Sequence, residues 1–187
     1  MFHSHFCKGD WKWDVYWPGI QICDNGKQIR SCYDSGSNLT RSNYGMSVGT
    51  GVYTIKIRLH FLMSTAMGIG VCLKDANLDD QWHCDPKSVV WGMFEDDIDG
   101  IEGGIHPPSE DNVFFQKCKV IGGPVPEFVS DDEIQMIYDS NKGEMRFKRN
   151  GEYLSSIVKN LNSVGDLYWC VGSHPRFIQW FLVTILN

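Results

Sequence analysis

The sequence predicts an all-β protein in which two antiparallel sheets pack face to face as a sandwich, with little helix. Three observations predict this fold: apolar residues alternate with polar ones, turn-forming dipeptides separate these runs, and aromatic residues make up 13% of the chain. A disordered chain would have too few apolar groups to bury, and a coiled coil would be rich in Ala, Glu, Lys, Leu and Arg. Both of these classes are therefore excluded.

The alternation of apolar and polar residues marks the strands in chain order. From residue 53 to 59, Tyr, Ile, Ile and Leu occupy the odd positions and Thr, Lys and Arg the even ones, which predicts a half-buried strand. The same pattern predicts strands over residues 134–138, 144–148 and 167–171. The apolar run 177–186 is too short to span a bilayer, which takes about 20 residues, so it is interpreted as a strand.

Turn-forming residues fall between these strands. Asn25-Gly26 and Asn150-Gly151 are typical of two-residue type I′ hairpin turns, because both central residues of that turn need a positive φ. Asn141-Lys142-Gly143 predicts a slightly longer hairpin loop. Closely spaced hairpins of this kind favour antiparallel pairing over the parallel sheet of a nucleotide-binding fold.

Two segments depart from the pattern of strands and tight turns. Within residues 154–161, Leu, Ile, Val and Leu recur at spacings of three and four, which predicts one or two helical turns. Residues 94–126 contain four of the seven prolines and predict a long irregular insertion around one strand at residues 113–115. Since no linker divides the chain, we expect residues 1–187 to form a single domain with its core at about 13–183.

The charge and cysteine content suggest a compartment and exclude some partners. The net charge is −6 and no basic run occurs, which argues against binding to nucleic acid or to anionic lipid. The N-terminus lacks the apolar segment of a secretory leader. Seven widely spaced cysteines without a Cys-x-x-Cys motif suggest reduced, mostly buried thiols. We therefore expect an intracellular protein, in the cytoplasm, without insertion into a membrane.

Two groups of residues were weighed as metal sites. The acidic run Glu95–Gly100 matches the start of an EF-hand loop, but the twelfth position is His106 where a bidentate Glu is needed. A solvated acidic loop explains this run better than a cation site. His3, His5 and Cys7 would share one face of a strand, yet no fourth zinc ligand lies nearby in the sequence. No metal and no cofactor are expected.

No complete set of catalytic residues is recognised in the sequence. The Gly68-x-Gly70 pair follows a predicted strand but opens no helix that could bind a dinucleotide. Carboxylates such as Asp139 and Glu144 lie at a predicted hairpin, where turn formation explains them better than glycoside hydrolysis does. The sequence therefore predicts that the protein is not an enzyme.

An ordered series of segments matches the motifs of a known family. In the second half of the chain, Asp132, Ile134 and Asp139 fall in register with a Gly-Asp-x-Ile-Gly-x-x-x-Asp strand. A Gly-x-x-x-Phe-x-x-Asn-Gly hairpin follows at 143–151. The segments in chain order are Gly51–Ile57, Met67–Val71, Trp91-Gly92, Asp131–Asp139, Lys142–Gly151 and Leu167–Gly172. Together they resemble the SPRY-domain family over nearly the whole chain.

The sequence also departs from the SPRY pattern. Asp131 replaces the usual Gly, Gln135 replaces a second Gly, and Thr54 stands where Trp is typical. The chain therefore resembles a divergent member of the family. The resemblance implies a bent β-sandwich related to the jelly-roll, concanavalin A-like lectins.

The resemblance further implies a non-catalytic module that binds a protein or peptide through loops at one edge of the sandwich. Variable loops on a rigid scaffold suit such a role, and aromatic and Arg side chains are common anchors of interfaces. The loops that match the family's binding edge lie near residues 41–46, 74–83 and 173–176. The predicted partner-binding residues are Arg41, Tyr44, Trp82, His83, His174 and Arg176.

Three functions were compared on this basis. The first is a protein-interaction module that acts as a small subunit or adaptor of a larger assembly. The second is a carbohydrate-binding lectin, for which Trp82 would stack on a sugar and the acidic run 96–102 would hold a metal. The third is an enzyme on the same sandwich. The interaction module is preferred, because no sugar-binding or catalytic set of residues is evident.

Overall fold

The structure is a computed structural model. It describes residues 6–7, 10–16, 20–31, 38–62, 67–76, 88–96, 100–106, 119–122, 126, 129–173 and 181–186. Fifteen strands and two single-turn 3-10 helices are found within this part of the chain. The prediction of a strand at residues 113–115 lies outside it.

The strands follow the order of the chain. They are β1 (Phe6–Cys7), β2 (Trp13–Tyr16), β3 (Ile20–Cys23), β4 (Gln28–Ser31), β5 (Asn38–Ser42), β6 (Val52–Leu62), β7 (Met67–Leu73), β8 (Ser88–Asp96), β9 (Gly100–His106), β10 (Lys119–Ile121), β11 (Glu133–Asp139), β12 (Glu144–Arg149), β13 (Glu152–Lys159), β14 (Leu167–Ser173) and β15 (Phe181–Ile185). The 3-10 turns are Asp24–Gly26 and Leu161–Ser163.

These strands form two sheets. One has nine strands in the order β10-β13-β12-β11-β6-β15-β4-β3, with β1 beside β6, and the other has six in the order β2-β5-β14-β7-β8-β9. Apart from the parallel contact of β1 with β6, every described pair of neighbouring strands is antiparallel. The predicted sandwich of two antiparallel sheets is therefore confirmed.

The core lies between the inner faces of the two sheets. On β6 the residues Tyr53, Ile55, Ile57 and Leu59 are buried while the residues between them are partly exposed, as the alternation predicted. Aromatic rings join the sheets: the ring of Trp91 on β8 meets that of Phe147 on β12 edge to face, with centroids 5.4 Å apart. Such pairs add to the free energy gained from the buried area alone.

The hairpin turns form where the sequence placed them. Asn150 and Gly151 both have positive φ, 51° and 91°, and they join Arg149 to Glu152 as a two-residue turn. Asn25-Gly26 also lies in a hairpin, but Cys23 pairs with Gln28, so this loop has four residues rather than two. The 3-10 turn Asp24–Gly26 fills the added length.

The prediction of helical turns at residues 154–161 is wrong. Residues 152–159 form β13, which pairs with β12 on one side and with β10 on the other. The register shifts between Arg146 and Lys148 of β12, whose partners on β13 are Ile157 and Tyr153. On β13 the polar Ser156 is buried and the apolar Ile157 faces outwards, so the apolar residues do not follow the alternation of the strand and their spacing resembles that of a helix.

The prediction of an irregular insertion at residues 94–126 is wrong for the described part of that segment. β8 continues to Asp96 and pairs with β9 along its length, from Val90↔His106 to Asp96↔Gly100. β10 then adds an edge strand to β13. Since Gly and acidic residues have low strand propensity, this hairpin could not be read from propensity alone.

The SPRY-like motif around Asp132 has a structural role. The carboxylate of Asp132, 3% exposed, accepts hydrogen bonds from Arg149 Nε at 2.7 Å, Asn150 Nδ2 at 2.8 Å and the Val129 backbone N–H at 2.8 Å. The preceding residue, Asp131, has a φ of 70°. A left-handed backbone at this point explains why the family pattern carries glycine where this chain has Asp131.

Candidate functional site

The predicted site residue Arg41 lies on the outer face of the six-stranded sheet. It belongs to β5 and pairs with Cys170 of β14, and the residue is 8% exposed. The sequence predicted a loop here, which is wrong, because Arg41 lies in β5 and pairs with Val15 of β2 as well as with Cys170 of β14. The guanidinium is thus held by a rigid sheet rather than by a mobile loop.

The guanidinium of Arg41 packs against the ring of Tyr168, with its Cζ 4.9 Å from the ring centroid. The Arg41 Nε is buried and has no hydrogen-bond partner among the described residues. Gly45 lies on the same ring, since a Cβ at this position would come within 3.0 Å of Tyr168 Cζ. A cation–π contact of this kind offsets part of the free energy lost when a charge is buried.

Sequence reasoning missed Tyr168, although the strand pattern contains the signal. Leu167, Trp169 and Val171 point into the core, so Tyr168 and Cys170 must face the other way. Around Tyr168 and Arg41 the structure collects a small second cluster of buried residues. Its members are Leu39, Cys72, Ala76 and Cys170.

Tyr44 follows β5 and is half-buried rather than exposed. Its ring stacks on that of Trp11, with centroids 4.3 Å apart and planes 19° from parallel, and it packs against the main core. The expectation of an exposed aromatic anchor at Tyr44 is therefore wrong in this structure. Tyr44 lies after the end of β5, where a polar loop was expected to present it, but Trp11 supplies an apolar surface that the sequence did not reveal.

The described cysteines give no reactive nucleophile. Cys23, Cys72 and Cys170 are free thiols, and the last two are buried. Burial, followed by a hydrogen bond with Cys72, raises the pKa of the Cys170 thiol well above its usual value. Since the thiolate is the reactive form, the pair is suited to packing rather than to chemistry. Among the described residues, no group of three or more His, Cys, Asp or Glu side chains could hold a metal ion.

Comparison of folds places this geometry among known proteins. The structure is similar to the SPRY domain of human HERC1, with 15% sequence identity, a TM-score of 0.62 and coverage of 91% of this chain and 96% of that one. A human SPRY domain gives 14% identity and a TM-score of 0.63, covering 92% and 96% of the two chains. The TRIM65 PSpry domain gives 11% identity and a TM-score of 0.61, covering 97% of this chain and 93% of that one. The chain has the SPRY fold.

The SPRY fold bears out the resemblance that the sequence motifs suggested. In sequence comparisons, no family model and no curated protein matches the chain. At identities of 11–15%, the structural likeness establishes the fold alone. The ordered motifs, from Gly51–Ile57 to Leu167–Gly172, were therefore a better guide than overall sequence similarity.

The other predicted binding residues, Trp82, His83, His174 and Arg176, lie outside the described residues. The strands that lead to them are described. Residues 77–87 follow β7, whose last residue Leu73 pairs with Leu167 at the start of β14, whereas His174 follows Ser173 at the end of β14. Leu73 and Ser173 therefore lie at opposite ends of β14. Tyr44 lies near the Leu167 end of that strand, because Met46 forms a bridge with Leu167.

A polar cleft of about 610 Å³ lies beside the hairpin of β3 and β4, and sequence reasoning missed it. Its lining includes Lys12, Trp13, Asp24 and Asn43. The amide oxygen of Asn43 accepts a hydrogen bond from the Lys12 backbone N–H at 3.1 Å, which ties the loop after β5 to this corner. The juxtaposition joins residues far apart in sequence, so no local pattern predicts it.

None of the helices in the described part of the chain has the length and apolar character that crossing a bilayer requires.

Proposed function

We propose that this chain is a non-catalytic module that binds a protein or peptide partner on the outer face and adjoining loops of its six-stranded sheet. It acts as a small subunit or adaptor of a larger intracellular assembly. The SPRY fold supports this proposal, because the structural neighbours include the SPRY domain of human HERC1 and the PSpry domain of TRIM65.

One observation carries the choice of surface. Arg41 is 8% exposed, lies on Tyr168, and keeps its Nε without a hydrogen-bond partner among the described residues. A buried cation whose hydrogen bonds are incomplete is unfavourable in the free protein. A carboxylate or backbone carbonyl of a partner that approached the guanidinium would relieve this, and planar Arg groups form strong hydrogen bonds with such oxygens.

Affinity purification from the native source with mass spectrometry tests the surface by comparing two Arg variants. Arg41→Gln should weaken binding of the partner about thirtyfold or more, and lower its recovery accordingly, because loss of a buried charge contact costs roughly 2 kcal/mol or more. Arg30→Gln is the matched control, since Arg30 is exposed on β4 and bonds Gln21 of its own sheet. Thermal unfolding checks that both variants fold.

Equal recovery with folded Arg41→Gln and Arg30→Gln would contradict the assignment of this surface. Trp82→Ala and Arg176→Ala extend the same assay to predicted residues outside the described part of the chain. The lectin alternative depended on Trp82 and the acidic run 96–102, and no described side chain favours it. The described residues likewise add no catalytic group that would favour an enzyme.

A further inference from the structure

The outer face of the nine-stranded sheet carries an excess of positive charge in a protein of net charge −6. Its centre is formed by β6, β11, β12 and β13, which lie side by side. We call this surface the basic sheet face. Its cations, all partly or fully exposed, are Lys56, Arg58, Lys142, Arg146, Lys148 and Lys159.

Two carboxylates on the basic sheet face are each shared by two cations. Glu133 pairs with both Lys56 and Arg58, and Glu144 with both Arg146 at 3.5 Å and Lys159 at 3.2 Å. Hydrogen bonds from Lys56 and then Arg58 lower the pKa of Glu133, and Lys159 is the largest cause of the same effect on Glu144.

Two further cations complete the count. Asp139 pairs with Lys142 at 3.0 Å, and Lys148 lies 4.3 Å from the ring centroid of Tyr153 without a carboxylate partner among the described residues. Among the described side chains of this face, six cations therefore lie beside three carboxylates.

Apolar side chains interrupt this charge in a regular row. Ile121 of β10 pairs with Ile157 of β13, Ile157 pairs with Arg146 of β12, and Arg146 pairs with Ile137 of β11. Their chain neighbours Val120, Val158 and Tyr138 pack in the core, so these isoleucines point outwards. Ile121 is 50% exposed and Tyr153 is 59% exposed, whereas branched and aromatic side chains of this size are more often buried.

We infer that the basic sheet face is a second docking surface, which binds an acidic protein segment whose carboxylates alternate with apolar side chains. The carboxylates would meet Arg146, Lys148 and Lys56, and the apolar groups would cover Ile121, Ile157 and Tyr153. Charge complementarity of this kind sets the rate and specificity of association. At physiological salt the Debye length is about 8 Å, so the partner senses this local charge rather than the net charge of the chain.

The chemistry of the face favours a protein segment over nucleic acid. Single-stranded nucleic acid is held by several aromatic rings on which successive bases stack. Here Tyr153 is the one exposed aromatic side chain among the described residues of the face, and isoleucines fill the other apolar positions. The surface lies on the opposite sheet from Arg41, so it goes beyond the proposed function and is tested independently of it.

Fluorescence anisotropy tests the inference with a labelled peptide of three Glu-Leu-Asp-Phe repeats. The wild-type chain should bind this peptide, and binding should weaken as salt is raised. Arg146→Glu/Lys148→Glu should weaken peptide binding at least about tenfold, because two attractive charge contacts with the peptide are replaced by two repulsive ones. Lys12→Glu/Lys74→Glu, with the same change of net charge away from this face, should bind within about twofold of wild type.

Further variants separate charge, apolar contact and folding. Arg146→Gln/Lys148→Gln removes the charges without reversing them and should show an intermediate loss, and Ile157→Ser should weaken binding even at high salt. Circular dichroism confirms that each variant folds. Arg41→Gln should bind the peptide as wild type does, which keeps this test distinct from that of the proposed function.

Four outcomes would overturn the inference. They are absence of peptide binding at millimolar concentration, equal loss in the Lys12→Glu/Lys74→Glu control, oligo-dT or phosphatidylserine vesicles binding more tightly than the peptide, and concentration-dependent self-association that Arg146→Glu/Lys148→Glu abolishes. The last would assign the face to a second copy of this chain.

Discussion

Asp131 and Asp132 are adjacent but have opposite relations to the fold. Asp132 gathers three hydrogen bonds and an ion pair with Arg149, and it fixes the hairpin at Asn150. Asp131 adopts a left-handed backbone at a φ of 70°, and its backbone N–H bonds the Leu59 carbonyl. The position of Asp132 is therefore stabilised by the contacts of its own side chain, whereas the backbone of Asp131 is held in place by neighbouring residues.

At position 131 we expect the free energy of unfolding to be highest with Gly, lower with Asp and lowest with Val. A left-handed conformation costs a residue with a Cβ roughly 1–2 kcal/mol, and glycine avoids this at about 0.5–1 kcal/mol of added unfolded-state entropy. Asp131→Gly should therefore raise the free energy of unfolding by up to about 1 kcal/mol, and Asp131→Val should lower it. Urea unfolding measures both.

Asp166→Gly is the control for position 131, because Asp166 is exposed and is not among the described residues with positive φ. There the same replacement should bring no gain in stability. If Asp131→Val were as stable as the wild type, the backbone strain at this position would be refuted.

At the residue scale, sequence reasoning found the motif but not the contacts. It placed Asp132 and Asn150 in SPRY-like positions, because such motifs are local. It misjudged Tyr44 and Arg41, because their partners Trp11 and Tyr168 come from distant parts of the chain. Burial of a residue between two strands is decided by what covers it, which a single sequence does not state.

At the scale of the element, β11 joins the core to the basic sheet face. Its inner residues Ile134, Met136 and Tyr138 are buried, and Glu133 begins its outer row beside Lys56 and Arg58 of β6. Hydrogen bonds from Lys56 and then Arg58 lower the pKa of Glu133 below the ordinary value of a Glu side chain. The stabilising contact is present above the unfolded-state pKa and is lost as the pH falls through the lower, folded-state pKa.

We therefore expect the Glu133 carboxylate to titrate below pH 4.5, which NMR of carbon-13-labelled Glu can follow. Lys56→Met/Arg58→Met should bring its pKa back towards that value, because the hydrogen bonds that favour the carboxylate are gone. The control Lys12→Met/Lys74→Met should leave it unchanged. An unchanged pKa in Lys56→Met/Arg58→Met would show that the pairs do not form in solution.

The elements were predicted well wherever alternation and turn chemistry agreed. A two-residue period next to a turn made four strands predictable from the sequence, namely β6, β11, β12 and β14. β13 was not predicted, because the polar Ser156 faces inwards and the apolar Ile157 faces outwards, and β9 was missed because a Gly-rich strand has few side chains that alternate. In both cases hydrogen bonding to neighbouring strands, rather than intrinsic propensity, decides the structure.

At the scale of the whole molecule, the first and the last described strands, β1 and β15, lie in one sheet. β15 is inserted between β6 and β4, and it bears the buried residues Phe181, Val183 and Ile185. β1 pairs with β6 over two residues only. This arrangement supports the proposal that residues 1–187 fold as a single domain, because no cut separates an independent half of the nine-stranded sheet.

Removal of residues 181–187 should therefore abolish the native fold, whereas removal of residues 1–9 should be tolerated. The first deletion removes the strand that pairs with both β6 and β4, together with its three buried side chains. The free energy of unfolding should fall by several kcal/mol, which is comparable to the whole stability of a domain. The second removes, among the described strand pairings, the two-residue contact of β1 with β6. Far-UV circular dichroism and thermal unfolding compare the two deletions.

The intact chain should unfold in one cooperative transition in the same experiment. Two separate transitions would contradict the single domain. A folded chain without residues 181–187 would contradict the importance assigned to β15.

The position of β15 has a consequence for the way the chain folds during synthesis. Among the described strands, the hairpin of β3 and β4 joins its sheet through β15 alone, and Gln28 bonds Thr184 across 156 positions of sequence. At about 5–20 residues per second, a ribosome needs roughly 8–30 s to make the intervening chain. For that interval one edge of the hairpin has no partner strand in its sheet, so a chaperone that binds extended backbone has a defined time and place to act.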